Sequence, residues 1–317
     1  MKKLYAIGID IGGTAIKHGI CSSEGILIQH DSIPTPADAP KAIILQKIFE
    51  VISQNLALSQ EQGMPISAVG VGTPGSVDIE RGYLMGSTPN FKHWRNVAIA
   101  ESIKHRFDLP VFADNDANLM AFGEFSFGAG KEKKDVICLT LGTGIGGGII
   151  IDGEIYRGSF YAGSELGHMS IDYKGRQCNC GGQGCLERYA SATALIQDYN
   201  LENPKNPVSG TKQIFLLAKA KDKIAQKVIK NFVSYLAAGI ANVVNIFNPE
   251  MIIIGGGVSK AGAVFIEDIR DACQKRAMPV SFKNVEIVGA TLGNDAGMMG
   301  ATAFALKSLG KKGVVTS

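Results

Sequence analysis

The feature that most constrains this sequence is a strand–glycine turn–strand pattern that occurs twice. Apolar residues 4–9 lead to Gly12-Gly13, residues 135–141 lead to GTGIGGG, and an apolar strand pattern resumes after each turn. A strand that resumes directly after a tight turn predicts a β-hairpin. A G-x-G-x-x-G loop in a dinucleotide-binding domain opens a helix instead, so the context argues against that interpretation. Two such hairpins suggest an internal duplication with two similar α/β lobes.

The composition limits the class of protein. With 45% hydrophobic and 19% charged residues, the chain is too apolar to be disordered. Its net charge of +3 predicts neither a nucleic-acid partner nor an anionic membrane partner. The sequence contains no run of about 18 apolar residues, which a membrane span would require. The apolar segment at the start ends at Asp10, and no signal-peptide cleavage site follows it. We therefore expect a cytoplasmic protein.

Glycine is abundant, with 39 among 317 residues against a usual share of about 7%. Successive backbone N–H groups in tight glycine turns form concave anion sites, and a nearby Thr hydroxyl adds a donor. Turns that bind no ligand are the alternative, but three glycine loops after predicted strands favour a nucleotide site. The residues predicted to face the nucleotide are Gly12, Gly13 and Thr14, then Thr143 and Gly144, then Gly256 and Gly257.

Four segments, DIGGTAIK, DNDAN, ELGHM and CNCGGQGCLE, occur in this order along the chain. Together they resemble the ROK (repressor, open reading frame, kinase) family of sugar kinases, from residue 4 to about residue 305. The resemblance implies an α/β, actin-like ATPase (ribonuclease H-like) fold with two lobes hinged around a cleft. It also implies ATP-dependent phosphorylation of a hexose, usually at the 6-hydroxyl, with Mg²⁺.

The predicted lobe boundary lies where a short strand ends in DNDAN. Residues 1–115 are expected to form a small N-terminal lobe, joined by a C-terminal helix at about 296–317. Residues 116–295 are expected to form a large lobe that carries the cysteine-rich loop. We expect the sugar to bind between the lobes, and closure to expel water before phosphoryl transfer.

The predicted catalytic residue is Asp116. An attacking sugar hydroxyl needs a carboxylate to accept its proton and aim it in line, and Asn115-Asp116 matches the catalytic pair of the family. Asn115 is expected to bind a sugar hydroxyl, although Asn and Asp are also typical of turns and helix caps. Asp10 matches the first phosphate-loop aspartate and would act through Mg²⁺ or its waters. Lys17 either reaches a phosphate or is solvated.

The resemblance also assigns the sugar contacts. Polar groups in a dry cleft discriminate strongly, because a missing substrate hydroxyl leaves them unpaired. Taken alone, the two glutamates among them would be interpreted as surface charges. The residues that carry over are Gly75, Asn90, Glu165, His168 and Glu187.

The resemblance implies a structural zinc site in the same region. His168 lies ten residues before Cys178, which opens a C-x-C-x₄-C segment with Cys180 and Cys185. Three thiolates and one imidazole make a closed tetrahedral set, the type found in structural zinc sites. Free thiols or a disulfide are the alternatives. The metal would fix one ring nitrogen of His168 and leave the other to donate toward the sugar.

Glucose is the preferred substrate, since the ELGH glutamate, His168 and Glu187 resemble the glucokinases of the family. Kinases of N-acetylglucosamine, N-acetylmannosamine, fructose, allose and β-glucosides share nearly every motif and remain alternatives. A sugar-responsive repressor is a different class; such relatives carry a helix-turn-helix domain before DIGGT, whereas nine residues precede Asp10 here. A catalytically dead relative would need a broken Asp116 or phosphate loop. A homodimer or homotetramer is expected from the family alone.

Overall fold

The structure is a computed structural model that describes residues 3–86 and 91–311. It contains both strands and helices, with short 3₁₀ helices at 166–168, 258–261 and 293–295. The strands are β1 (Tyr5–Ile11), β2 (Ala15–Ser22), β3 (Leu27–Pro34), β4 (Ile66–Thr73), β5 (Ser76–Asp78), β6 (Tyr83–Gly86), β7 (Val97–Ala98), β8 (Val111–Asn115), β9 (Val136–Leu141), β10 (Ile145–Ile151), β11 (Glu154–Tyr156), β12 (Met251–Gly255) and β13 (Glu286–Gly289). The α-helices are α1 (Lys41–Glu61), α2 (Ile99–Phe107), α3 (Asp116–Phe127), α4 (Glu187–Ala190), α5 (Ala192–Glu202), α6 (Thr211–Lys219), α7 (Lys223–Phe247), α8 (Ala263–Gln274), α9 (Pro279–Phe282) and α10 (Ala296–Lys311).

The chain divides into two compact units. The first comprises residues 1–132, 154–164 and 294–317, and the second comprises residues 133–153 and 165–293. The lobe boundary expected at 115/116 stays a prediction, because compactness does not by itself say where a chain hinges.

Both glycine turns join antiparallel strands, as predicted. In the first unit β1 pairs with β2, with Ile11 opposite Ile16. In the second unit β9 pairs with β10, with Leu141 opposite Ile145. The GTGIGGG segment therefore continues into a strand, and the dinucleotide-binding interpretation is excluded.

The two units repeat one strand arrangement. The sheet of the first unit has the order β3-β2-β1-β4-β8, in which β1, β4 and β8 are parallel. In the second unit β9 lies between β10 and β12, and β13 follows β12, with β9, β12 and β13 parallel. In each unit the second strand of the glycine hairpin runs antiparallel to the first: β2 to β1, and β10 to β9. This repetition supports the internal duplication suggested by the sequence.

The sheet of the first unit is covered on both faces. Side chains alternate along a strand, so odd-numbered and even-numbered residues of β1 face opposite ways. Ile7, Ile9 and Ile11 belong to a buried cluster that also contains the apolar face of α1. Ala6 belongs to a second cluster with Ala305 of α10. Burial on both faces explains why β1 is a nearly continuous apolar run rather than an alternating pattern.

A row of three glycines lets α10 approach this sheet closely. Gly19, Gly8 and Gly70 lie side by side on β2, β1 and β4. A Cβ on Gly8 would overlap the carbonyl oxygen of Met298, and one on Gly70 would overlap that of Ala301. Part of the glycine excess therefore serves helix–sheet packing inside strands, a role that the turn-based interpretation missed.

The helices α6 and α7 follow each other closely but are separate. Lys221 adopts a positive φ of 67°, which interrupts the helix. Asp222 then caps α7, since its side chain accepts a hydrogen bond of 2.7 Å from the Ala225 N–H. The buried stripe of α7 packs into the core of the second unit. Across residues 3–86 and 91–311, no helix combines the length and apolar character that a membrane span requires.

The glycine row generates a stability prediction. Gly70→Ala should lower the free energy of unfolding by about 3 kcal/mol, because a backbone oxygen cannot move aside as a side chain can. Gly86→Ala is the matched control: a Cβ there meets nothing within 4 Å, and the expected change is below about 0.5 kcal/mol. Urea denaturation measures both. Equal losses in the two variants would contradict the close-packing role of Gly70.

Candidate functional site

The carboxyl ends of three parallel strands bring candidate residues to one sheet edge of the first unit. Gly72 on β4 is in register with Asp10 on β1 and with Asp114 on β8. A Cβ on Gly72 would lie 3.6 Å from the Asp116 Cα. Gly72 therefore packs beside the start of α3, between the strands that carry Asp10 and Asp114. Ligands of open α/β sheets bind at such carboxyl ends.

Asp10 lies in a confined, largely buried position beside the first turn of α10. A Cβ on Gly297 would lie 2.6 Å from its Oδ2, so glycine leaves room for the carboxylate there. Burial raises the pKa of the Asp10 carboxyl above its usual value, and Lys17 opposes this shift. The Lys17 Nζ lies 3.7 Å from Asp10 Oδ2 and donates a 2.9 Å hydrogen bond to the Asn294 carbonyl oxygen. Lys17 is therefore tied to the protein rather than simply solvated.

The first glycine turn is fixed from one side and open on the other. Thr35 donates through its hydroxyl to the Gly12 carbonyl oxygen at 2.7 Å and through its N–H to that of Thr14 at 3.0 Å. Gly13 and Thr14 are exposed, and a Cβ on Gly13 would meet nothing within 4 Å. A braced turn with an open outer face fits the predicted approach of a phosphate.

The three polar residues at the end of β8 have different partners. Asp114 is buried and paired with Arg157, whose Nε and Nη2 lie 2.7 Å and 2.5 Å from its Oδ2. Asn115 caps α3: its Oδ1 accepts from the Ala117 and Asn118 N–H groups at 2.9 Å and 3.1 Å. Asp116 is the first residue of α3 and half-buried. The helix cap considered as an alternative for Asn115 is thus present.

Gly75 is tied to this junction by a hydrogen bond. Its carbonyl oxygen accepts from Asn115 Nδ2 at 3.2 Å, and its φ of +100° requires glycine. The Thr73 hydroxyl beside it accepts from the indole N–H of fully buried Trp94 at 2.8 Å. Asn90, predicted to contact the sugar, lies outside the described residues.

In the second unit, two of the predicted glycine loops adjoin each other. Gly256 has a φ of +86°, and a Cβ on it would lie 2.5 Å from the Leu141 carbonyl oxygen, at the start of the β9–β10 turn. Thr193 supports that turn by donating to the Thr143 carbonyl oxygen at 2.8 Å. Gly257, like Gly142, has open space where a Cβ would stand. The loops of Thr143-Gly144 and Gly256-Gly257 therefore form one continuous surface.

His168, Cys178, Cys180 and Cys185 form a compact cluster whose ligand atoms all lie within 4.8 Å of one another. The His168 Nδ1 lies 3.7 Å from Cys178 Sγ, and the sulfurs of Cys180 and Cys185 are 3.6 Å apart. Tetrahedral zinc with bonds near 2.3 Å to sulfur and 2.05 Å to nitrogen would set these edges at about 3.6–3.8 Å. The donor set and spacing fit such an ion.

The protonation of the thiols also bears on metal binding. Burial, followed by hydrogen bonds to the other two thiols, raises the pKa of Cys185 to about 12. Burial raises the pKa of Cys178, whereas the Gly182 N–H lowers that of Cys180. A bound cation favours the thiolate form, since metal binding releases thiol protons.

Glu187 joins this cluster to the second glycine turn. One oxygen lies 3.8 Å from His168 Nδ1 and 3.4 Å from Cys178 Sγ, and the other accepts from the Ile145 N–H at 3.4 Å. Gly144 leaves room for this carboxylate, because a Cβ there would lie 2.5 Å from it. Glu165 is exposed, and its carbonyl oxygen accepts from the His168 N–H at 3.0 Å. His168 and Glu187 are thus brought together, and Glu187 is more than a surface charge, whereas the contact of Glu165 with His168 is made through its backbone.

The cap made by Asn115 generates a prediction. Asn115→Ala should lower the free energy of unfolding by about 1–2 kcal/mol, because two N–H groups of α3 lose their acceptor. Asn115→Ser should retain most of that stability, since a serine hydroxyl also caps helices but cannot donate to Gly75 as the amide does. Urea denaturation compares the two. Equal destabilisation by both substitutions would show that the helix cap does not account for the lost stability.

Known proteins resemble the chain over nearly its whole length. It is 36% identical to a glucokinase of Thermotoga maritima, over 98% of this chain and 100% of that protein. It is 31% identical to a xylose repressor of Caldicellulosiruptor bescii, over 96% of this chain and 78% of the repressor.

A solved structure gives a similar result. A ROK family glucokinase from Streptomyces griseus, in complex with glucose and AMPPNP, superposes with a TM-score of 0.81 at 34% identity. The match covers 96% of this chain and 99% of that one. The likeness confirms the predicted actin-like ATPase fold. The ROK family model matches residues 6–308, and with these relatives it shows that the chain belongs to the ROK family.

Proposed function

We propose that this chain is an ATP-dependent hexose kinase that transfers the γ-phosphate to the 6-hydroxyl of glucose. The observation that carries the proposal is the sheet edge of the first unit, where Asp10 near the end of β1 and Asp116 just after β8 lie on either side of β4, which carries Gly72. Phosphoryl transfer needs little covalent chemistry from the protein, but it needs a carboxylate near phosphate-bound metal and another near the nucleophile. The similarity to glucokinases supports the same function.

Asp116 is the proposed general base. Its Oδ1 accepts a 2.9 Å hydrogen bond from the Ala117 N–H in the first turn of α3, where the helix dipole favours a carboxylate. That bond orients the group, so a carboxylate oxygen can accept the proton of the sugar hydroxyl. Asn115 is proposed to bind a neighbouring hydroxyl through its amide, while its Oδ1 holds the helix.

The nucleotide residues fit magnesium-bound ATP, which would supply the phosphoryl group and neutralise its charge. Asp10 offers oxygen ligands of the kind Mg²⁺ prefers, directly or through water. The open turn of Gly12, Gly13 and Thr14 offers backbone N–H groups and a hydroxyl. In the second unit, Gly142 and Gly257 leave open space beside Thr143-Gly144 and Gly256, against which a nucleoside can lie.

Sugar recognition is assigned to Gly75 and Asn90 in the first unit and to Glu165, His168 and Glu187 in the second. The His168 Nδ1 faces Cys178, so its Nε2 is the nitrogen left to donate to a hydroxyl. A site built of such groups rejects sugars that lack the matching hydroxyl. Kinases of N-acetylglucosamine, N-acetylmannosamine, fructose or allose remain the alternatives, and so does a sugar-sensing repressor relative.

A coupled ATP-consumption assay against these sugars tests the proposal. Glucose should give the highest kcat/KM, and Asp116→Asn should lower kcat by about 10²–10⁴-fold, because the amide cannot accept the hydroxyl proton. Asp108→Asn, an exposed change of the same kind, should leave kcat unaltered. No turnover with any sugar, or full activity of Asp116→Asn, would refute the kinase assignment.

We further propose that the cysteine cluster binds one structural Zn²⁺ per chain. The ion would hold the loop that carries Glu187 against the turn at Ile145. Removing zinc with a chelator should lower the melting temperature and weaken sugar binding, because the ion orients His168.

Metal analysis of variants checks the ligand assignment. Cys180→Ser should lower zinc affinity by about 10-fold or more. Cys21→Ala, a change at a buried cysteine outside the cluster, should retain one zinc per chain. Chelation that left both melting temperature and sugar affinity unchanged would rule out the structural role.

The remaining expectations are a homodimer or homotetramer and a cytoplasmic location. Both stay predictions, and light scattering of the purified protein measures the first of them.

A further inference from the structure

The first unit contains a cavity of about 300 Å³ that includes none of the candidate site residues. It lies among β8, α3, α10 and the segment that begins with β11. Its volume is at the lower end of the range for small-molecule sites, about 300–1,000 Å³. It is lined by Ile79, Glu80, Phe112, Phe122, Glu154, Ile155, Arg157, Phe304, Lys307, Ser308 and Lys311.

The floor of the cavity is aromatic. Phe304 makes edge-to-face contacts with Phe112 and Phe122, each with ring centroids 6.4 Å apart. Together with Ile79 and Ile155 these rings give the cavity an apolar, largely aromatic lining. An aromatic lining favours an aromatic ligand, since edge-to-face or offset aromatic pairs add to the free energy of apolar burial.

Charged side chains of both signs also line the cavity, namely Lys307 and Lys311 with Glu80 and Glu154. Lys307 and Lys311 are four residues apart on α10, so they lie on one helix face. Both pair with Glu154, at 3.0 Å and 2.8 Å from its Oε1. Partial burial would raise the pKa of the Glu154 carboxyl, but the two lysines hold it below its usual value. Glu154 is 51% exposed, so a ligand anion can compete with it for both ammonium groups.

One wall of the cavity leads to the candidate catalytic junction. The Arg157 guanidinium lies 5.1 Å from the Phe304 ring centroid and forms the paired bonds to Asp114. Asp114 in turn accepts a 2.7 Å hydrogen bond from the Asn115 N–H through its Oδ1. A ligand that moves Phe304 or the guanidinium would therefore act on the residue that caps α3.

We propose that this cavity is an effector site for a small aromatic anion, whose ring lies on the phenylalanine floor and whose carboxylate or sulfonate binds Lys307 and Lys311. Occupancy is proposed to alter sugar affinity through Arg157 and Asp114. The binding site stands independently of the proposed kinase function, whereas the effect on sugar affinity rests on it.

A titration with 1-anilinonaphthalene-8-sulfonate, a fluorescent aromatic anion, tests the site. The double variant Lys307→Gln/Lys311→Gln should bind the probe at least about 10-fold more weakly than the native protein, because the anion loses both cationic partners. The control Lys104→Gln/Lys131→Gln removes the same charge from exposed positions of the first unit and should bind like the native protein. Equal affinity of the native protein and both double variants for the probe would contradict the proposed binding site.

The kinase assay with the same probe tests the coupling. Saturating probe should change the KM for sugar in the native and control proteins, and should leave it unchanged in Lys307→Gln/Lys311→Gln. Probe binding without any change in KM would overturn the coupling. Absence of turnover with every sugar would instead refute the kinase function, and the titration would still decide the site.

Discussion

The close approach of α10 to the sheet of the first unit is the contact on which the candidate site there depends. Because Gly8 and Gly70 carry no side chains, the helix backbone lies directly on β1 and β4. The first turn of α10 then stands beside Asp10, and Gly297 leaves room for its carboxylate. α10 also packs on α3, where a Cβ on Gly300 would overlap the Leu119 carbonyl oxygen. One helix thus positions both Asp10 and the helix that begins with Asp116.

The hairpins were predictable because their physical causes are local. A glycine turn between two β-branched runs has few other structures available, and both hairpins form where expected. The glycine row was not predictable, since Gly8, Gly19 and Gly70 meet only through strand pairing and a helix far along the chain. A glycine inside a strand signals a close approach, but not what approaches.

The candidate site shows the same division between local and distant causes. The cysteine cluster was predictable because three of its four members lie within eight residues of the sequence, at a spacing that suits a metal. The sequence did not predict the roles of Arg157 and Trp94. Arg157 pairs with buried Asp114, and Trp94 donates a hydrogen bond to buried Thr73. Neither belongs to a motif, and each finds its partner only through tertiary packing. A buried charge requires a partner, so the existence of a cation for Asp114 follows from burial, but its position does not.

The junction at the end of β8 explains how three consecutive polar residues take different roles. Asp114 still belongs to the strand and points inward with Phe112, because residues two apart share a face. Asn115 stands where the strand ends and the helix has not yet begun, so its side chain is free to turn back and cap α3. Asp116 is the first helical residue, with its carboxylate at the N-terminal end of the helix dipole. The change from strand to helix therefore gives these three residues separate roles: Asp114 pairs with Arg157, Asn115 caps α3, and Asp116 is placed for the proposed proton transfer. A shift of the sequence by one residue would place each side chain in the surroundings of its neighbour.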